Sequence, residues 1–166
     1  MNLNKQTQLI SEGIENEIID HKKLILWIDE IIGNSKTAED WMIKLSLSKK
    51  NDLEKIKDVI DTQFQNDFTC SLTEYIAIIA AKIELKKIPA FNCLTALVVE
   101  KDYLKIDPDD IDSITSKDSI EEIENDVETR HFSSNAIDNA EVKLKDLLCF
   151  AKKKHSDIFN FMLTHA

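Results

Sequence analysis

The sequence predicts an all-α protein of seven or eight amphipathic helices, packed as a single irregular bundle or a short solenoid-like array. The chain of 166 residues contains only two glycines and two prolines, whereas a β-sandwich or barrel needs such residues at its hairpins. Apolar residues also recur every three or four positions, which is the spacing of a helix face. Both observations favour helices throughout.

The first predicted helix is long and amphipathic, and it ends in a left-handed cap at Gly33-Asn34. Its apolar face is formed by Ile14, Ile18, Ile25, Ile28 and Ile32. The same spacing recurs in a later helix at Leu53, Ile56, Ile60 and Phe64. Two isoleucine- and valine-rich stretches, "YIAIIA" and "ALVVE", have strand-forming compositions. Because each lies within a longer helical repeat, we predict helix for both.

Helix starts are predicted where a small polar residue precedes a carboxylate by three positions, since its side chain can accept from the free amides of the first turn. This pattern occurs at Thr37 with Asp40, Asn51 with Glu54, Ser71 with Glu74, and Ser119 with Glu122. Further starts are predicted at Pro89, at Ser133-Ser134 and at Ser156. The main break between helices is predicted as a loop around residues 104–118.

The length suits one domain, and no interior stretch is rich in Gly, Ser or Pro, so residues 1–166 are predicted to form a single all-helical domain. The longest apolar run, "YIAIIAA" at residues 75–81, is far shorter than the roughly 20 residues of a membrane span. The amino terminus lacks the apolar core of a signal peptide, which predicts a cytoplasmic protein. Cys70, Cys93 and Cys149 are predicted to be reduced core residues, and Trp27 and Trp41 to be core anchors.

Residues 105–128, "KIDPDDIDSITSKDSIEEIENDVE", contain ten acids and two lysines, and thus −8 of the chain's net charge of −10. A calcium loop beginning at Asp110 is excluded, because it would place Ile114 at a ligand position and Thr115 where glycine is required. Glu128 and His131 form a single pair of potential metal ligands, whereas a di-iron bundle needs two such pairs. No nucleophile elbow, phosphate loop or dinucleotide fingerprint is present. We therefore predict a protein that is not an enzyme and has no metal or cofactor.

The net charge also argues against a nucleic-acid partner, because the chain as a whole repels phosphates. The basic cluster "KKKH" at residues 152–155 is interpreted as a solvated helix end. For the acidic segment, two interpretations remain open at this point. It is either a solvated loop with a helix start, or a docking surface for a cationic protein.

The stretch "AEDWMIKLSLSKKNDLEKI", and within it Trp41 to Ser48 followed by a second amphipathic segment, resembles the helical immunity proteins that bacteria encode beside contact-dependent and other polymorphic toxins. The resemblance implies a protein that binds and neutralises one cognate basic protein toxin. Nuclease toxins such as RNases fit best, because their substrate grooves must be basic, and an acidic surface can take the place of phosphates. No contact residue is carried over from the family. The alternative is a helical adaptor that binds proteins without inhibiting them.

The predicted partner-binding residues are therefore the ten acids of the segment, for steering and ion pairing, and one neighbouring aromatic residue as a buried anchor. They are Asp107, Asp109, Asp110, Asp112, Asp118, Glu121, Glu122, Glu124, Asp126, Glu128 and Tyr103. The chain is expected to act as a monomer or weak oligomer, with neither nucleic acid nor membrane as a partner.

Overall fold

The computed structural model describes residues 1–49, 52–64, 70–88, 90–104, 110–129 and 135–166, and all regular structure in these ranges is helical. The all-α prediction is confirmed for these residues, although they form nine α-helices, more than the seven or eight predicted. The helices are α1 (Leu3–Glu15), α2 (His21–Asn34), α3 (Asp40–Ser46), α4 (Leu53–Phe64), α5 (Leu72–Glu84), α6 (Cys93–Tyr103), α7 (Ile111–Glu128), α8 (Ala136–Lys154) and α9 (Ser156–His165). A short 3-10 helix, Ala90–Asn92, precedes α6. The helix starts predicted at Asn51, Pro89 and Ser133-Ser134 lie outside the described residues.

The single long helix predicted over Ile14 to Ile32 is wrong, because a tight turn separates α1 from α2. Glu17 adopts a left-handed conformation with φ of 58°. The amides of Ile18 and Ile19 both donate to the carbonyl of Gly13, at 2.7 and 3.2 Å. Asp20 then accepts from the backbone amides of the second and third residues of α2. The turn thus satisfies backbone groups that a continuous helix would have paired internally.

The left-handed cap predicted at Gly33-Asn34 is also wrong. The helix continues through Asn34, and Ser35 follows in an extended conformation, with φ of −92° and ψ of 144°. The Ser35 hydroxyl donates to the carbonyl of Ile31 at 2.7 Å, and its amide donates to that of Ile32 at 3.2 Å. Side-chain capping therefore replaces the glycine cap.

The residue contacts group into two compact units, Met1–Phe68 with Asn160–Ala166, and Thr69–Phe159. This grouping does not test the prediction of a single domain over residues 1–166. In the first unit, α1 packs against α4, and α3 packs against both α2 and α4. Trp27 and Trp41 are only 6% and 4% exposed, and the Trp41 ring meets the Phe64 ring edge to face at 5.0 Å. Both tryptophans are core anchors, as predicted.

In the second unit, α5 is the most buried helix, since its residues Leu72, Thr73 and Tyr75 to Ala81 are all buried. It packs against α6, α7 and α8. Helix α7, which holds most of the described part of the acidic segment, also contacts α6 and α8. "YIAIIA" and "ALVVE" are helical, as predicted. Burial of an all-round apolar α5 explains why its strand-like composition does not produce a strand.

Three predictions of helix boundaries differ from the structure. Residues 111–118 belong to α7 and not to a loop, and Ser119 lies inside α7, where its hydroxyl donates to the carbonyl of Thr115 at 2.9 Å. The start predicted at Thr37 is wrong, because α3 begins at Asp40 and its N-cap is Glu39, which makes no side-chain cap. By contrast, the starts predicted at Ser71 and Ser156 are confirmed. A capping pattern in the sequence is ambiguous because a serine inside a helix can bond backward to a carbonyl.

The cysteine prediction holds for two of the three residues. Cys70 and Cys93 are buried and Cys149 is exposed, and all three are reduced. Burial raises the pKa of the Cys93 thiol to about 11. Cys149 is therefore not a core residue, because it lies on the solvent side of α8. No helix in the described parts of the chain is long and apolar enough to cross a membrane.

Replacing Ser71 by alanine is expected to lower the free energy of unfolding by about 0.5 to 2 kcal/mol. The Ser71 hydroxyl accepts from the Glu74 amide at 3.3 Å, and the Glu74 carboxylate accepts from the Ser71 amide at 3.0 Å. Ser119→Ala is the matched control and should change stability by less than about 0.5 kcal/mol, because it removes only a bond within a formed helix. Urea denaturation measures both, and equal losses would contradict the assigned cap.

Candidate partner-binding face on helix α7

Helix α7 carries seven of the ten predicted acidic residues and its N-cap, Asp110, is an eighth. Neighbouring helices neutralise part of this charge. Lys101 of α6, only 8% exposed, contacts Glu124 at 2.7 Å. Lys143 of α8 contacts Glu122 at 3.2 Å and Asp126 at 2.9 Å. The hydrogen bond that Lys101 donates to Glu124 raises the pKa of Lys101, and those that Lys143 donates to Asp126 and Glu122 raise the pKa of Lys143. These three acids therefore contribute to packing α7 between α6 and α8.

The first turn of α7 holds a second set of paired acids. Asp110 is the N-cap of α7 and accepts from the Ser113 amide at 3.3 Å, and from the Ser113 hydroxyl. Lys154 at the end of α8 lies 3.8 Å from Asp110 and 2.5 Å from Asp112. The Ser113 hydroxyl, with Lys154 as a further contributor, lowers the pKa of Asp110. Asp110 and Asp112 thus anchor the start of α7 to the end of α8.

The remaining acids of α7 are exposed and form no ion pair with any other described residue. Together with three other exposed residues of α7 they form a series in which each member follows the previous one by three or four positions. All six therefore share one helix face. We call this face the outer stripe, and it consists of Ile111, Ile114, Asp118, Glu121, Asn125 and Glu128. The stripe places two isoleucines at its start and three carboxylates along the rest.

The outer stripe also has an apolar part. Ile111 is 73% exposed and Ile114 is 39% exposed, whereas Ser113 and Ser116 on the same turns are 0% and 2% exposed. The helix thus turns small polar residues inward and large apolar ones outward. An apolar patch with a polar rim is an arrangement that protein-binding surfaces use.

Tyr103, the predicted anchor, is 78% exposed at the end of α6. Its ring is therefore accessible to a partner, as the ring of an anchor residue must be. Asp107 and Asp109 lie outside the described residues, as does His131. Among the residues that the structure describes, no group of three or more His, Cys, Asp or Glu side chains is arranged to hold a metal ion.

The prediction from sequence grouped the ten acids as one set. It included neither the lysines that pair with some of them nor the exposed isoleucines. Lys152 contacts Glu84 at 3.2 Å, and Lys154 contacts Asp112. The cluster at residues 152–155 is therefore more than a solvated helix end. A signal for the isoleucines was present, since Ile111 precedes Asp118 by seven positions and Ile114 precedes Glu121 by seven. Two turns of helix place each pair on one face.

No protein-family model, no curated protein and no solved structure matches this chain. The class of this protein is therefore described from its structure alone. It is an all-α protein in which one helix presents an outward stripe of unpaired carboxylates and exposed isoleucines.

The Asp110 cap makes stability depend on pH in a defined direction. Because the folded pKa of Asp110 lies below its ordinary value, the stabilisation is complete above about pH 4 and is lost as the pH falls through the folded value. Asp110→Asn keeps a capping oxygen but removes the charge, and should cost about 0.5 kcal/mol near neutral pH. Urea denaturation of both proteins should show this difference shrinking toward zero in acid. A difference that stays constant would contradict the ionised cap.

Proposed function

We propose that this protein is an immunity protein that binds and inhibits a cognate basic toxin, most directly a nuclease. The observation that carries the proposal is the outer stripe, where Asp118, Glu121 and Glu128 are exposed without ion pairs to other described residues. A nuclease must present cations to bind phosphates, and the same cations attract a surface of carboxylates. The acids in contact with Lys101, Lys143 and Lys154 have a structural role in this proposal.

Charge would supply the speed of association and apolar contact the lifetime of the complex. Ile111 and Ile114 continue the stripe toward the start of α7, and Tyr103 lies at the end of the preceding helix. Large side chains of this kind provide most of the affinity once they are buried by a partner. The resemblance of Trp41 to Ser48 to helical immunity proteins is an independent reason for choosing a toxin as the partner.

The test is co-expression with the protein encoded by the adjacent reading frame. Expressed alone, that protein should stop growth and degrade RNA or DNA, and expression of this chain should restore growth. The two proteins should co-purify, and adding the chain to the purified nuclease should abolish its activity in proportion to the amount added. Co-purification without any loss of activity would indicate an adaptor instead, and a harmless neighbour would contradict the proposal.

A further inference from the structure

A groove between α7 and α8 lies beside the outer stripe. Its volume is about 310 Å³, at the lower end of the roughly 300 to 1,000 Å³ of small-molecule sites. This space suits one large side chain and is too small for an extended peptide. The lining comprises Asp112, Glu122 and Asp146, Thr115, Ser116 and Ser119, Lys143, and the apolar Leu147 and Phe150.

The groove offers hydrogen-bond acceptors almost exclusively. The Thr115 hydroxyl donates to the carbonyl of Ile111 at 2.8 Å, and the Ser119 hydroxyl donates to that of Thr115 at 2.9 Å. Because each hydroxyl has one hydrogen, both present only lone pairs to the groove. The one cation in the lining, Lys143, is already held by two carboxylates. A ligand that fits must therefore be rich in donors.

Two side chains that line the groove could find a partner in a bound ligand. Ser116 is 2% exposed and lines the groove, yet its hydroxyl makes no hydrogen bond with another described residue. The Ser116 oxygen is not sealed off from solvent, so a donor on a bound ligand can reach it and replace water there. Asp146 is exposed at the rim and forms no ion pair within the described part of the chain.

The aromatic part of the lining is also compatible with a cation. Phe150 is 42% exposed, and the Lys154 ammonium lies 6.0 Å from its ring centroid, which shows that the ring can be approached by positive charge. A guanidinium group combines five donors in a plane with the ability to stack on a ring, whereas an ammonium offers three donors on a point charge. The lining therefore suits arginine better than lysine.

We infer that the groove between α7 and α8 binds an arginine side chain of the partner, with Asp146 contacting the guanidinium and Ser116 accepting one of its hydrogen bonds. The inference rests on the proposed function for the identity of the partner, a basic protein. The groove itself can be tested without that partner.

The experiment is an NMR titration of the intact, isotope-labelled chain with N-acetyl-arginine-N-methylamide. Saturable shifts are expected at the amides of Ser116, Ser119, Asp146 and Leu147. The citrulline analogue has the same shape without the charge and should leave these amides unshifted, and the lysine analogue should bind more weakly than the arginine probe. No saturable shift in the groove, or equal shifts with citrulline, would overturn the inference.

Two variants locate the binding. Asp146→Asn removes an exposed charge from the rim and should weaken binding of the arginine probe about fivefold. Asp138→Asn makes the same change on the same helix outside the groove lining and should have no effect, whereas equal effects of the two variants would also overturn the inference. Binding of the probe alongside a harmless neighbouring gene product would refute the proposed function and leave the groove intact. Toxin inhibition without probe binding would overturn the arginine groove and leave the proposed function standing.

Discussion

Replacing Asp118 and Glu121 by lysine is expected to slow association with the basic partner about tenfold at low salt, and to leave the fold intact. Both side chains are exposed on the outer stripe and form no ion pair with a described residue. Glu121 acts on Lys101 only through its charge at longer range, so no hydrogen bond or ion pair is lost. The rate of dissociation should change less, because charge at a distance mainly affects the encounter. Association rates measured by surface plasmon resonance over a range of salt concentrations test this. The variant should also show a weaker dependence on salt.

The control for this experiment is Glu30→Lys with Asp58→Lys. It replaces one Asp and one Glu, as the test variant does, and therefore gives the same net charge. Both control residues are exposed, in α2 and α4 of the first unit. If binding depends on total charge alone, the two variants will slow association equally, and the docking face on α7 is then wrong. Circular dichroism and the unfolding midpoint show whether each variant is folded.

Replacing Gly13 by alanine is expected to lower the free energy of unfolding by about 1 to 3 kcal/mol, although alanine is the better helix former. A Cβ atom at this position would lie 2.6 Å from Cγ1 of Ile19 and 3.2 Å from Sδ of Met162. Ile19 is only 6% exposed, and its amide bonds to the Gly13 carbonyl itself at 3.2 Å. Ile19 therefore cannot move away without disturbing the turn that joins α1 to α2.

Gly33→Ala is the matched control, because Gly33 is also helical but has nothing within 4 Å of the added Cβ. Here only the helix propensity changes, and the free energy of unfolding should rise by up to about 1 kcal/mol. Urea denaturation of the two variants should give shifts of opposite sign. A stabilising effect at Gly13 would show that the contact with Ile19 relaxes at little cost.

Features that depend on neighbours in sequence were predicted well. The capping box at Ser71 needs only the residue three positions later, and the structure contains it. The burial of Trp27 and Trp41 follows from their place on apolar helix faces. The turn at Glu17 was missed because its left-handed backbone is rare for a residue other than glycine. Ser119 was misassigned because its hydroxyl finds a carbonyl within the helix instead of a free amide.

The candidate site remains a prediction, and the structure shows how its described residues are arranged. The sequence alone determined that the chain is helical, because its few glycines and prolines and its apolar spacing leave no other class. It also determined that one segment, residues 105–128, has most of the net charge.

Tertiary structure decided which of these acids are available, since Lys101, Lys143 and Lys154 come from other helices and reach Glu124, Asp126 and Asp112 only after packing. It also turned Ile111 and Ile114 outward. Ion pairs and burial depend on distances in space between residues far apart in the chain, and local sequence patterns do not contain these distances.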